Sequence, residues 1–520
     1  MAWTGFDTVV KGLFASKQSL YVTGHNIANI NNKEYSRQLV TQQATDPDKV
    51  HGVGMVGTGA EITEVKRVRD DYLNNKFWDE QGKHGDWAAR KSGLGDIESS
   101  FNEPTDSSIR KVTDEMYKAL EQLSTYPSDY ASKSLVRESA TTFAGQLNEL
   151  SKKLYTLQAE SNFQINTKVT EVNDYGVQIA ELNKQIGLME LDGTHANDLR
   201  DKRDGLLDDL SKLVNLDTME IDGKMKVSIG GMTLVENTTS NFLEVKEMDN
   251  DINPSQKLSK IVWESNGLEL KLQDGEIKGL LELRGDGSRD GAGSGEGDSY
   301  RGVTYYVNRL DEFAATFATQ MNRTHAQGFG ADGQSGVLMF TDHGKASADI
   351  KINGKAINQL DLSDPKSADS IAFEKYMRDN VRADNLDVSK DIKTDLNNIA
   401  AATENDGQDN NKNLLKLLEQ RNNKKFFDTP TAQGTPDEFL KSIISTLAVD
   451  GQQAVRMEKN EAAILKNVTE RRMSDSGVSE NEELSNMVKY QHAYNANARM
   501  IRTIDEIFSV VVNQLGMAGR

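Results

Sequence analysis

The sequence predicts an α+β multidomain fold. Both chain ends form a discontinuous long-helix coiled-coil or bundle domain, and a mostly β domain is inserted in the middle. Three observations carry this expectation. Apolar residues recur in helical steps at both extreme ends, a helical stripe of some 60 residues runs without proline through the first half, and alternating strand-like segments follow it. Only 7 prolines occur in 520 residues, which suits long helices. The expected division is 1–35 with 480–520 as paired terminal helices, 36–212 with 301–479 as a helical rod domain, and 213–300 as the β insertion.

At the N-terminus, Phe6, Val9, Leu13, Leu20 and Ile27 follow helical steps, with Ser16 and Gly24 filling the remaining turns. The long stripe comes next. Phe143, Leu147, Leu150, Leu154 and Leu157 are continued by Ile165, Val169, Val172, Ile179, Leu182, Ile186 and Met189. A continuous helix of this length spans about 90 Å, which suits an elongated bundle better than a compact enzyme. Residues 217–245 then read as short strands, with a tight turn at Gly230-Gly231, and a further hairpin is expected around Asn266-Gly267. Residues 285–299 are rich in Gly, Asp and Ser, as a loop or linker would be. Leu310, Phe313, Phe317 and Met321 share one face of another helix. Residues 346–390 read as an irregular insertion with short strands, and helical signal returns from about Leu396.

The C-terminal stripe is Met487, Tyr490, Tyr494, Ala498, Ile501, Ile504, Phe508, Val511 and Leu515, with no Gly or Pro between Val478 and Leu515. Each apolar position contributes roughly 1.5–3 kcal/mol only when something covers it, and ordering each residue costs about 1–2 kcal/mol. A solitary terminal helix is therefore marginal. The two ends are natural covers for one another or for neighbouring copies. An isolated chain is expected to exchange amide hydrogens quickly over 1–35 and 480–520 and slowly over 140–190.

Composition narrows the function. Lys and Arg number 61 against 80 Asp and Glu, a net charge of −19, so nucleic acid and anionic membrane surfaces are poor partners. No apolar run approaches the ~18 residues of a membrane span, and Asp7, Lys11 and Lys17 interrupt any apolar core of a secretory signal. With no Cys, disulfides and thiolate chemistry are excluded. The 7 His are scattered without metal-ligand spacing, and no metal or other cofactor is expected. Gly52–Gly57 matches GxGxxG, but polar residues precede it and a strand-like AEITEVKRV follows, where phosphate binding needs a helix N-terminus. Asp286, Ser288, Asp290 and Gly291 begin a calcium-loop pattern, but position twelve is Gly297 instead of Glu. No active site emerges.

The stretch GLFASKQSLYVTGHNIANINNKEYSRQ, with Asn26, Asn29 and Tyr35, resembles the shared signature of the flagellar axial proteins. Glu34 and Asn32-Lys33 depart from the usual Gly and Thr-Pro. ANDLRDKRDGLLDDLSKLV (196–214), EIKGLLELRGD (276–286) and GVSENEELSNMVKYQHAYNANARMIRTIDEIF (477–508), with Glu482, Glu483, Tyr490, Gln491 and Tyr494, are similar to the FlgK hook-associated family within that group. The resemblance implies a structural protein of the bacterial flagellum, exported unfolded and secreted, that joins hook to filament and is needed for filament assembly. It implies terminal helices lining an inner tube, a rod domain around them and a β domain outside. Its implied partners are further copies of itself, hook protein, the second junction protein and an export chaperone on the C-terminal helix. The assembly interface is expected on the two terminal stripes, with Asn26, Asn29 and Tyr35 as polar elements. Alternatives are another axial protein of hook or rod type, or a surface adhesin on the same scaffold; an enzyme is not expected.

Overall fold

The computed structural model describes residues 2–101, 108–221, 223–289, 301–405, 409–429 and 432–514. Leu515 of the C-terminal stripe and 290–299 of the Gly-rich stretch lie outside them. The helices are α1 (Ala2–Ala28), α2 (Asp71–Phe101), α3 (Ile109–Thr125), α4 (Tyr130–Met189), α5 (Asn197–Leu213), α6 (Glu276–Arg284), α7 (Val303–Ala326), α8 (Ala368–Asn380), α9 (Lys390–Thr394), α10 (Lys412–Glu419), α11 (Pro436–Ser476) and α12 (Glu480–Gln514). The strands that matter below are β1 (Gln38–Ala44), β2 (Asp48–Val50), β3 (Gly54–Val56), β4 (Ala60–Arg67), β5 (Asp217–Ile221), β6 (Lys224–Ile229), β7 (Met232–Glu236), β8 (Thr239–Ser240), β9 (Leu243–Met248) and β10 (Leu258–Trp263).

The spine is α4, 60 residues long. It starts where the Asp129 carboxylate accepts from the Ala131 and Ser132 amides, satisfying two of the donors a helix start leaves orphaned. Its stripe serves two cores. Phe143, Leu147, Leu150 and Leu154 join α3, α7 and the start of α11 in a large core, where Phe143 lies 4.7 Å from Phe317 and Phe427 lies 4.1 Å from Phe439. Ile165, Val169, Val172 and Ile179 join α5, α6 and the strands around Trp263 in a second core. The handover is polar. Buried Gln158 donates to Arg284 O and accepts from Asn250 Nδ2, so neither side of its amide is stranded in apolar surroundings. Met189, the last residue of the predicted stripe, is exposed.

The β region follows expectation in part. β5 to β8 form an antiparallel four-stranded sheet in chain order. Gly230 and Gly231, at φ +57° and +83°, form the two-residue turn between β6 and β7, a conformation that a Cβ would strain. The hairpin expected around Asn266-Gly267 is rudimentary: Val262 bridges Glu269, but β10 spends its ladder on β9. α6 packs with α2 and α4, with Ile277, Leu280 and Leu283 buried. Residues 346–390 contain short strands, and Phe373, Met377, Leu386 and Val388 lie in the large core, so the segment closes that core.

Gly52–Gly57 runs from the turn of the β2–β3 hairpin through β3, with no helix N-terminus after it. Among the described residues, no helix is long and apolar enough to cross a membrane, and no group of three or more His, Asp or Glu is placed to hold a metal ion. α2 and α11 run side by side, tied by Lys91 to Glu458 at 3.1 Å. They lead from the large core to the paired ends of the chain.

Candidate assembly site

α1 and α12 pack against each other. Asn26 Nδ2 donates to Glu483 Oε2 at 3.2 Å, and a Cβ on Gly12 would lie 3.1 Å from the Asn497 side chain. The interval from Gly12 to Asn26 equals that from Glu483 to Asn497, so the pair is antiparallel and keeps register. Ile501 then falls level with Thr8. The absent side chain at Gly12 lets the helices approach at that level.

The stripe residues stand as follows. Val9, Leu13, Leu20 and Ile27 on α1, and Met487, Tyr490, Tyr494, Ile501, Ile504 and Phe508 on α12, are half-buried. Phe6 and Val511 are more exposed, at 36% and 46%. What α1 buries most fully is a different face: Ala15, Ser16, Ser19, Val22, Thr23 and Asn26. Its small hydroxyls bond within the helix, Ser16 Oγ to Gly12 O and Ser19 Oγ to Ala15 O. Gln42 of β1 donates to Ser19 Oγ, so the β1–β4 ribbon covers part of this face.

At the base, Asn26 is 1% exposed and makes every hydrogen bond an amide side chain can make. Nδ2 donates to Glu483 Oε2 and Gln38 O; Oδ1 accepts from Tyr35 Oη at 2.8 Å and from the Gln38 amide at 3.0 Å. The chain turns back for this through Asn32, whose Oδ1 accepts from the Glu34 amide; Glu34 needs no left-handed backbone. Burial pushes the Tyr35 phenol above its ordinary value, and the carboxylates of Asp198, Asp201 and Glu483 add to that. Tyr35 thus stays protonated and donates to Asn26, so His25, 2.9 Å away through Nδ1, donates to it. Glu483, also 1% exposed, accepts from Arg37 Nε at 2.9 Å while Arg37 Nη1 reaches Glu482 at 2.8 Å. Its place in the first turn of α12 favours a carboxylate.

α5 clamps the knot from the side. Asp201 accepts from the Ser36 amide and from Arg67, Asp204 accepts from Arg67 at 2.8 Å, and Asp198 accepts from Gln38 Nε2. Burial works to raise the Asp204 carboxyl, but Arg69 and Arg67 outweigh it and hold the group below its ordinary value. The other side of α5 ties α4 to the β region: Arg200 pairs with Glu190 after α4 and with Glu220 of β5, and Arg203, fully buried, donates to Asn183 of α4, Gly223 O and Glu220.

Asn26 and Tyr35 therefore act as internal ties: Asn26 is buried with its amide fully hydrogen-bonded, and Tyr35 is buried beside it. Asn29 Nδ2 bonds back to His25 O and finishes α1. The expectation of uncovered ends changes, because each end covers the other. Hydrogen exchange should be graded, slow at 22–38 and 480–490 near the knot and fast at 5–10 and 504–514. Uniformly fast exchange across both ends of the monomer would contradict the knot.

Sequence reasoning gave Arg67, Arg69 and the acidic face of α5 no role, yet their spacing carried a signal. Asp198, Asp201 and Asp204 recur every third residue on one helix face, and Arg67 and Arg69 stand two residues apart at and just after the end of β4.

The family model described as the flagellar hook-associated protein FlgK helical domain matches residues 94–340, and that of the flagellar basal body rod FlgEFG protein C-terminal matches 470–515. The chain is 27% identical to flagellar hook-associated protein 1 of Bacillus subtilis, covering 99% of each chain. It is 25% identical to the protein of that name from Escherichia coli, over 98% of this chain and 99% of that one. The structure of the flagellar hook junction protein FlgK from Burkholderia pseudomallei shares the fold with a TM-score of 0.60 at 15% identity, over 77% of this chain and all of that one.

Proposed function

We infer that the chain is a FlgK-type flagellar hook-associated protein, a structural protein of the bacterial flagellum that forms the junction between hook and filament and is needed for filament assembly. The observation that carries this reading is the terminal pair. Two helices from opposite chain ends, each only half covered by the other, are knotted at one base to the rest of the molecule. A two-helix hairpin that leaves Phe6, Ile501, Ile504 and Phe508 partly in water gains more when neighbours complete the burial.

The division of labour follows. The terminal pair, 1–35 with 480–520, is the assembly element. Its interface comprises Phe6, Val9, Leu13, Leu20 and Ile27 with Met487, Tyr490, Tyr494, Ile501, Ile504, Phe508, Val511 and Leu515. The helical body, 36–212 with 301–479, surrounds it, and the strand region within 213–300 lies outermost. The partners are further copies of the chain, hook protein and the second junction protein, with an export chaperone engaging the C-terminal helix before assembly. The protein acts outside the cell and without catalysis.

Electron microscopy of a strain lacking this chain tests the reading. Hooks without filaments are expected, and normal filaments would end it. A rod- or hook-type axial role, which the match at 470–515 favours, predicts missing hooks instead.

A further inference from the structure

The charge on the terminal pair is segregated along its length. From Thr8 to Asn31 in α1 and the turn after it, and from Leu484 to Ile504 in α12, there is no Asp or Glu, in a chain whose net charge is −19. Those stretches carry Lys11, Lys17, Lys489, Arg499 and Arg502, all exposed, and none of the five pairs with a carboxylate among the described residues. In the antiparallel register set by Asn26–Glu483 and Gly12–Asn497, Lys11 falls level with Ala498, next to Arg499, and Lys17 with His492. The cations therefore form one band shared by both helices. Carboxylates flank it on α12: Glu480 and Glu482 at one end, of which Glu482 also holds Arg37 of its own chain at 2.8 Å, and Asp505 and Glu506 at the other, all exposed.

We propose that this cationic band is a docking surface for the acidic ends of α12 in a second copy of the chain. This rests on the assembly role above and specifies its chemistry. One axial displacement of two parallel copies satisfies both ends together. Sliding one copy by about 17 residues, roughly 25 Å at ~1.5 Å per residue, sets its Glu482 level with Arg499 of the first and its Glu480 within one helical turn of that arginine. The same slide sets Asp505 and Glu506 of the first beside its Lys489. Unshifted copies would set cation against cation and acid against acid. The charge pattern thus selects a staggered neighbour and penalises an unstaggered one, as complementary and like charges do across interfaces generally. The half-buried apolar stripes supply the burial, and the band supplies the register.

The test uses hooks isolated from a strain lacking the chain, loaded with purified full-length protein, with protein bound per hook as the readout. This bypasses export. Wild-type loading should fall as salt rises from about 0.05 to 0.5 M. R499E/R502E should load roughly tenfold less at low salt. Adding E480K to that variant should recover most of the loss, because acid and base have exchanged places on a contact between identical copies. K489E should likewise be recovered by D505K/E506K. Equal loading of R499E/R502E and wild type would overturn the proposal. So would a loss that the compensating change leaves intact, which would place the band against the hook instead of another copy. Failure of the assembly role itself reads differently: the strain lacking the chain would keep its filaments, and wild-type protein would not load at any salt.

Discussion

Asn26→Asp should uncouple the two ends of the chain from the rest of the molecule at neutral pH. The substitution keeps the side chain's shape but replaces both Nδ2 donors with a second carboxylate oxygen. Gln38 O and Glu483 Oε2 then lose the donors that now satisfy them, at roughly 1–3 kcal/mol for each group left unpaired in a buried site. A new negative charge would also lie within hydrogen-bonding distance of Glu483 in surroundings from which water is largely excluded. Two carboxylates so placed share one proton, and the pair holds it at a pH well above the ordinary carboxylate range. The folded variant then binds a proton that the opened one does not. Its knot should therefore strengthen as pH falls toward about 5 and weaken as pH rises. Hydrogen exchange at 22–38, 196–206 and 480–490 reads this directly, with acceleration at pH 7.5 that is partly reversed at pH 5.5. The two cores contain none of these residues, so the main thermal transition should not move. Filament number in cells should fall steeply. Wild-type protection in the variant at pH 7.5 would show that the knot does not hold the ends.

Much of this architecture was legible because it is periodic. The long stripe from Phe143 to Ile186 needs only a 3/4 count, and α4 is buried along it. The Gly230-Gly231 turn is equally local. What escaped is long-range or small. Arg67 meets Asp201 and Asp204 across more than 130 residues, and no local pattern says which cations meet which carboxylates. On α1, counting bulky apolar residues selects Phe6 to Ile27. The face buried most deeply is instead Ala15, Ser16, Ser19 and Thr23, where small side chains permit close approach and the hydroxyls of Ser16 and Ser19 are satisfied by their own helix. Asn26, Tyr35 and Glu483 were all noticed as signature residues. That they touch one another is a fact of the fold, and it makes Asn26 and Tyr35 ties that aim the surface.

Ile501→Asp should abolish filament assembly while leaving the body of the protein folded. Ile501 lies toward the free end of the terminal pair, level with Thr8, and is half-buried even in the isolated chain. A carboxylate there can turn toward water in the monomer, so the local loss is the transfer of one partly covered side chain, up to roughly 1–2 kcal/mol. Neither core contains the position, and the melting temperature should barely change. In the assembled state the same site would be covered by neighbours on every copy. An unpaired carboxylate then costs several kcal/mol per subunit, and the penalty recurs in every subunit. Ile501→Val, which keeps the apolar contact, should assemble normally. Because an export chaperone engaging the same apolar face would also be disturbed, the amount of protein reaching the medium must be measured beside the filament count. Hooks without filaments, with abundant secreted monomer, are the expected outcome. Normal filaments from a secreted Ile501→Asp chain would show that this stripe is not the assembly interface.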